Sequence, residues 1–193
     1  MFLITGLGNP GSAYRSNRHN VGFLAVDEIA RKFNFPAFRS KYEGLASEGV
    51  IGDHRVLLLK PQTYMNESGR SVGQALRFLK LDLARLIVLH DELDLAAGKL
   101  RVKTGGGNAG HNGLRSITGL VGNEYKRVRI GIGHPGDKAL VHAYVLSNFD
   151  RADIAWVGPM LEAIAAHAGT LLAGADALFQ TQIDRAMRQS LKA

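Results

Sequence analysis

Short apolar runs alternate with stretches of helical periodicity along this chain, and that alternation most restricts what it can fold into. Phe2 to Thr5 is a strand-like run closed by Gly6. From Val21 to Phe35, the apolar residues Phe23, Val26, Ile29, Ala30 and Phe33 recur at helical spacing. Residues 42–51 and 54–60 flank Gly52-Asp53 and predict a hairpin. Val72, Leu76 and Leu79 mark a second helix, and Leu86 to Leu89 a buried strand ending in His90-Asp91-Glu92. Leu100 to Lys103 is a short strand running into Thr104-Gly105-Gly106-Gly107, with a short helix from Leu114 to Val121. Val128, Ile130 and Ile132 alternate with Arg127, Arg129 and Gly131, which predicts a strand with one basic face. Residues 138–191 read as mostly helical, broken near Gly158-Pro159 and Gly174. With no repeat and no linker, residues 1–193 predict a single α/β domain, a twisted mixed β-sheet flanked by helices. Sites in such folds lie beyond the carboxyl ends of the strands. Four polar loops fit that place: 6–20, 61–69, 90–94 and 104–113.

Composition narrows the chemistry. The chain has no cysteine, which removes disulfides, thiolate zinc sites and a thiol nucleophile. Hydrolysis would have to use His, Asp, Glu, Ser, Thr or Lys. A net charge of +7 favours polyanionic partners, nucleic acid first, although solubility alone accounts for such a surplus in many proteins. No stretch approaches the roughly 20 apolar residues of a membrane span, and the first residues lack the features of a signal peptide. A soluble, cytoplasmic protein is expected.

Two motifs point elsewhere. Gly6-Leu7-Gly8-Asn9-Pro10-Gly11 matches GxGxxG after a strand, but the polar stretch from Ser12 to Asn20 follows where a dinucleotide fold begins a helix. Gly69-Arg70-Ser71-Val72-Gly73 matches GxSxG, but Val72 continues into Leu76 and Leu79 at helical spacing. That places Ser71 in a first helical turn rather than on a nucleophile elbow.

His19, in Arg18-His19-Asn20, ends the first polar loop, and an imidazole there suits a general base acting on water. Asp91 follows a buried strand, where a carboxylate can hydrogen-bond an imidazole; it also fits a turn or helix cap. Asn9, Asn66 and Asn112 lie in the other loops and supply neutral donors for carbonyls, or serve turn chemistry beside Gly and Pro. Gly105-Gly106-Gly107, Gly110 and Gly113 let backbone N–H groups approach a ligand. Lys99, Arg101, Lys103, Arg115, Arg127 and Arg129 surround that loop and suit phosphates, or a solvated edge. Tyr14 and Tyr64 suit stacking on a base or sugar, or ordinary packing. His90, Asp91, Glu92, Asp94, His111 and His134 show no spaced metal-ligand motif, so no metal and no other cofactor is expected.

Six motifs occur in order: GLGNPG at 6–11, RHN at 18–20, KPQTYMN at 60–66, HDELD at 90–94, GHNG at 110–113 and RIGIGHPGD at 129–137. Together they resemble the bacterial-type peptidyl-tRNA hydrolase family over nearly the whole chain, most weakly after residue 150. The resemblance implies a single-domain, monomeric, metal-free esterase acting on peptidyl-tRNA. It implies His19 as catalytic base and Asp91 as its partner. Asn9 would hold the carbonyl of the peptide that follows the esterified residue. Tyr14, Tyr64, Asn66 and Asn112 would bind the peptidyl-adenosine end, with Met65 beside the ester. Lys103 and Arg129 would clamp phosphate, and His111 would stand close to the site. The chain departs from the family at Asn17, where threonine is usual, and at Asn108-Ala109, in a variable part of the glycine loop. Two other classes stay open: an RNA-binding relative of this fold that does not cut RNA esters, and a serine hydrolase using Ser71.

Overall fold

Three apolar runs lie side by side in the computed structural model, which describes residues 1–193. Strand β1 (Phe2–Gly6) is parallel to both its neighbours, β4 (His54–Pro61) and β5 (Leu86–Glu92). Parallel interior strands are covered on both faces, which explains continuous apolar runs in place of alternation. Strand β3 (Gly44–Ile51) pairs with β4 through the hairpin turn at Gly52, whose φ of 58° falls in the left-handed region that glycine adopts freely. The edge strand β2 (Arg39–Lys41) has no apolar residue and so left no pattern to read. On the other side β7 (Lys126–Gly131) runs parallel to β5, and β6 (Leu100–Thr104) closes the edge antiparallel to β7. The order is β2-β3-β4-β1-β5-β7-β6, a mixed seven-stranded sheet.

Helices cover both faces. Side chains alternate across each strand, so Ile4, Leu58, Leu89 and Val128 form one core and Leu3, Leu57, Leu59 and Val88 another. Helices α1 (Val21–Lys32), α5 (Ile154–Ala166) and α7 (Asp176–Ser190) pack on the first core, adding Val26, Met160, Ile164 and Phe179. Helices α2 (Ser68–Leu79) and α3 (Asn112–Val121) pack on the second, adding Leu76 and Ile117. The short helices α4 (Val141–Val145) and α6 (Ala168–Leu172) add Val145, Leu171 and Leu172 to the first core.

Four local expectations are corrected. Helix α1 stops at Lys32, capped by Phe33, because Asn34 turns left-handed with φ 52°. Strand β5 continues through His90, Asp91 and Glu92, all buried, so the chemistry-bearing motif belongs to the strand and not to the loop after it. Gly158-Pro159 lies inside α5, and the interruption is at His167. Pro159 forfeits one intrahelical bond, a penalty of about 3 kcal/mol. The apolar stripe of Trp156, Met160, Ala163 and Ile164, all buried, holds the helix across it. Finally, loop 104–113 does not start at the carboxyl ends of the parallel strands. Because β6 is antiparallel, Thr104 sits opposite Lys126, at the start of β7, and the glycine loop travels back along the sheet to bring His111 to Asp91.

Candidate active site

Two glycines let α1 meet the strand ends. A Cβ on Gly6 would lie 2.0 Å from the Gly22 carbonyl oxygen, and one on Gly22 would lie 2.3 Å from the Leu89 carbonyl oxygen. Neither position accepts a side chain without moving the backbone. Leu7 N–H also donates to Leu89 at 3.0 Å. The start of α1 is therefore seated on the ends of β1 and β5. His19, on the 3-10 turn Arg18–Asn20 just before α1, comes to rest over Asp91, two residues after Leu89.

His19 Nδ1 lies 2.8 Å from Asp91 Oδ2 and 3.0 Å from Oδ1. His111 Nε2 lies 2.9 Å from Oδ1. The other His111 nitrogen, Nδ1, accepts the backbone N–H of Gly113 at 3.1 Å and of Leu114 at 3.4 Å, capping α3. An acceptor at Nδ1 fixes the proton on Nε2, so His111 donates to Asp91. Asp91 is fully enclosed, which alone would raise its pKa. The His19 and His111 rings outweigh that and hold the carboxyl well below the usual range. For His19, burial pulls the pKa down, but the charge of Asp91 and its hydrogen bond win and raise it above 6.5. With Nδ1–H committed to Asp91, His19 keeps a lone pair on Nε2, which has no partner within the chain.

His19, Asp91 and His111 offer three potential metal-ligand atoms within 4.8 Å of one another. A cation bound at His111 Nε2 would force the proton onto Nδ1 and abolish the α3 cap. The cluster is thus built around shared protons, with Asp91 as the common acceptor.

These residues line a cavity of about 770 Å³ together with Asn9, Tyr64, Met65, Asn66 and Asn112. Asn9 is fixed on both sides. Its backbone N–H donates to Asn20 Oδ1 at 2.9 Å, and its carbonyl accepts from Asn20 Nδ2 at 3.0 Å. Its side-chain Oδ1 accepts Met65 N–H at 2.8 Å, which leaves the Asn9 Nδ2 donor for a ligand. Tyr64 is exposed at the rim, and Met65 is buried behind it.

Three expected site residues lie elsewhere. Tyr14, on the turn Ser12–Tyr14, does not line the cavity. Lys103 and Arg129 line a neighbouring groove of about 280 Å³ with His90, Glu92 and Arg127. Arg127, grouped with them by the alternating pattern, is not available to a ligand. It is 2 % exposed, donates to the Gly106 and Gly107 carbonyls and Asn123 Oδ1, and stacks 4.8 Å over Tyr125. The glycine-loop carbonyls are its partners. The first two glycines of GLGNPG likewise serve packing: a Cβ on Gly8 would lie 2.7 Å from the Phe23 ring. Ser71 sits buried in α2, its Oγ without a hydrogen-bond partner, so no base activates it.

Sequence reasoning missed one wall of the cavity: Lys138, Val141, His142, Val145 and Leu146. Arg18 anchors it. Buried Arg18 donates through Nη1 to Ser147 Oγ at 2.7 Å and to the Asn148 carbonyl at 2.5 Å, and through Nη2 to Asp153 at 2.6 Å. Its guanidinium lies 4.6 Å over the Tyr144 ring. Burial would raise the Asp153 pKa, but the Asp150 backbone N–H, the Trp156 indole and Arg18 lower it on balance. The residue next to His19 thus holds the facing wall. RHN alone gives no hint of that, because its partners lie about 130 positions away.

Comparison with known proteins agrees with this architecture. The family model described as peptidyl-tRNA hydrolase matches residues 3–190. A peptidyl-tRNA hydrolase of Methylocella silvestris is 60% identical over 191 residues, covering 99% of this chain and 97% of the relative. One from Methylorubrum extorquens is 64% identical over 187 residues, covering 97% and 89%. A crystal structure of peptidyl-tRNA hydrolase from Acinetobacter baumannii superposes with a TM-score of 0.90 at 40% identity, covering 95% of this chain and 94% of that one. With a family match spanning residues 3–190 and these identities, the chain belongs to the peptidyl-tRNA hydrolase family.

Proposed function

We propose that the chain hydrolyses the ester between peptide and tRNA in peptidyl-tRNA, releasing free tRNA and free peptide, with His19 as the base that activates water. The observation that carries this reading is the pairing of His19 Nδ1 with Asp91 at 2.8 Å in a cavity lined by amide donors. Nε2 takes the proton of a water held between His19 and the ester carbonyl. Asp91 keeps the tautomer and stabilises the imidazolium as it forms. The Asn9 Nδ2 donor suits the carbonyl of the peptide unit beyond the esterified residue. Asn66 and Asn112 suit the adenosine end or the developing oxyanion. Tyr64 offers a ring for stacking. Lys103 and Arg129 suit a tRNA phosphate, in keeping with the net charge of +7.

No step draws on a metal or a serine nucleophile. The test is a single set of assays on the purified chain: peptidyl-tRNA alone, with EDTA, and after a fluorophosphonate serine probe. Hydrolysis that survives both additions is expected. Loss with EDTA, or labelling of Ser71, would contradict the mechanism. Binding of the RNA without any hydrolysis would favour the non-catalytic relative.

A further inference from the structure

Glu92 is a buried carboxylate that this mechanism does not use. It follows Asp91 on β5 and borders both the main cavity and the neighbouring groove. Its Oε1 accepts from Arg129 Nε at 2.8 Å, and its Oε2 accepts the Asp94 backbone N–H at 3.4 Å. Glu92 is almost fully enclosed, while the Arg129 side chain is 26% exposed. The carboxylate meets the guanidinium side-on, through Nε. Arg129 Nη1 and Nη2 have no partner within the chain, and Arg129 lines the groove with Lys103. Arg127, two residues earlier on the same strand face, spends both terminal nitrogens on backbone and amide oxygens. Of the two arginines, one builds the groove and the other lines it with both terminal nitrogens free.

A carboxylate beside an anion site repels the anion, so its presence there needs a compensating effect. Arginine has a long flexible stem, and ordering it on binding is entropically unfavourable. An Nε anchor removes much of that freedom beforehand and aims the fork that matches a phosphate.

We infer that Glu92 is a positioning residue that holds Arg129 side-on through Nε, so that its two terminal nitrogens meet a substrate phosphate together. This rests on the reading above that Arg129 contacts phosphate. The test is a double-mutant cycle on KM for intact peptidyl-tRNA, using Arg129→Ala, Glu92→Ala and the double variant. Glu92→Ala should raise KM about fivefold, as expected when one charge-assisted contact loses its orientation. In the Arg129→Ala background the same change should add less than about twofold. Glu92→Gln keeps an acceptor and preserves the buried volume; it should show the same non-additivity on a smaller rise. Its kcat/KM acid limb should coincide with that of the unmodified chain, since Glu92 acts through Arg129 and not through His19.

Additive effects would overturn the inference, as would an acid limb displaced in Glu92→Gln. If Arg129→Ala leaves KM unchanged, the phosphate reading fails first and the inference falls with it. That outcome is distinct from a normal Arg129 effect without coupling, which overturns the inference alone.

Discussion

Asp91 Oδ1 accepts from His111 Nε2 at 2.9 Å while His19 Nδ1 spans both oxygens of the same carboxylate. The two rings are not equivalent. The backbone N–H groups of Gly113 and Leu114 fix the His111 proton, whereas His19 has a free nitrogen on the cavity side. His111 orients Asp91, and Asp91 orients His19. His111→Asn keeps an oxygen able to cap α3, but its shorter side chain places no donor where Nε2 meets Asp91. It should lower kcat about tenfold with little change in the unfolding midpoint. His111→Ala should add about 1 kcal/mol of destabilisation from the lost cap. Parallel kinetics and thermal unfolding of the two variants check this.

Asn9 gives a second prediction. Its Oδ1 is occupied by Met65 N–H, so the peptide-carbonyl contact proposed for it falls to Nδ2. Asn9→Asp keeps the acceptor and loses the donor. N-blocked aminoacyl-tRNA should be cleaved well by the unmodified chain, and free aminoacyl-tRNA largely spared. The variant should lose most of that preference, because a site built to donate rejects a substrate that cannot accept. Competition between the two substrates measures it.

His90 predicts how stability responds to acid. Burial, with the neighbouring His111 ring, pushes its pKa from 6.5 down to about 3. Its Nδ1–H donates to the Asp91 carbonyl at 2.8 Å. A folded pKa below the unfolded one means the unfolded chain binds a proton that the native chain does not. This contribution to stability is present above pH 6.5 and is lost as pH falls from there towards 3. His90→Gln should flatten the stability profile in that window. Asp91 has the same sign but acts lower, its contribution fading below the ordinary carboxylate pKa of 3.8. His19 has the opposite sign: its contribution is full below 6.5 and fades as pH rises through its raised pKa. Urea midpoints from pH 8 to 4 separate the two histidines, and extending the series below 3.8 adds Asp91.

The strands were legible because parallel interior strands need apolar residues on both faces, and β1, β4 and β5 supply them. His19 and Asp91 were legible as candidates because one ends a polar loop and the other ends an apolar run. What brings them together is not local. It depends on the Gly6–Gly22 approach, while a glycine loop that doubles back from the far end of β6 adds His111 to the pair. Arg127 and Arg129 look alike in the sequence, since both alternate with apolar residues on one strand. Only tertiary partners, Tyr125 and two glycine carbonyls for Arg127 and Glu92 for Arg129, separate the builder from the presenter. The wall carrying Val141 and Val145 read only as helix, because the contacts that fold it over the cavity belong to Arg18.

Ser71 supplies a negative prediction. Gly44 and Ser71 are packed so closely that a Cβ on Gly44 would lie 2.9 Å from Ser71 Oγ. Ser71→Ala removes an unpartnered buried hydroxyl and should leave kcat/KM within about twofold. Gly44→Ala should destabilise by about 1–3 kcal/mol through overpacking. Steady-state kinetics on the first and unfolding of the second check both.

In the proposed reaction neutral His19, oriented by Asp91, removes the proton from water. Its pKa is raised, so kcat/KM should fall as pH drops through a value above 6.5. Replacing Asp91 with Asn removes the charge that holds that pKa up, leaving burial to push it down. The measurement is kcat/KM against pH for the unmodified chain and for Asp91→Asn. An acid limb displaced to lower pH is expected in the variant, with a plateau reduced by orders of magnitude, as the forming imidazolium loses its counter-charge. An unshifted limb with an unchanged plateau would contradict it.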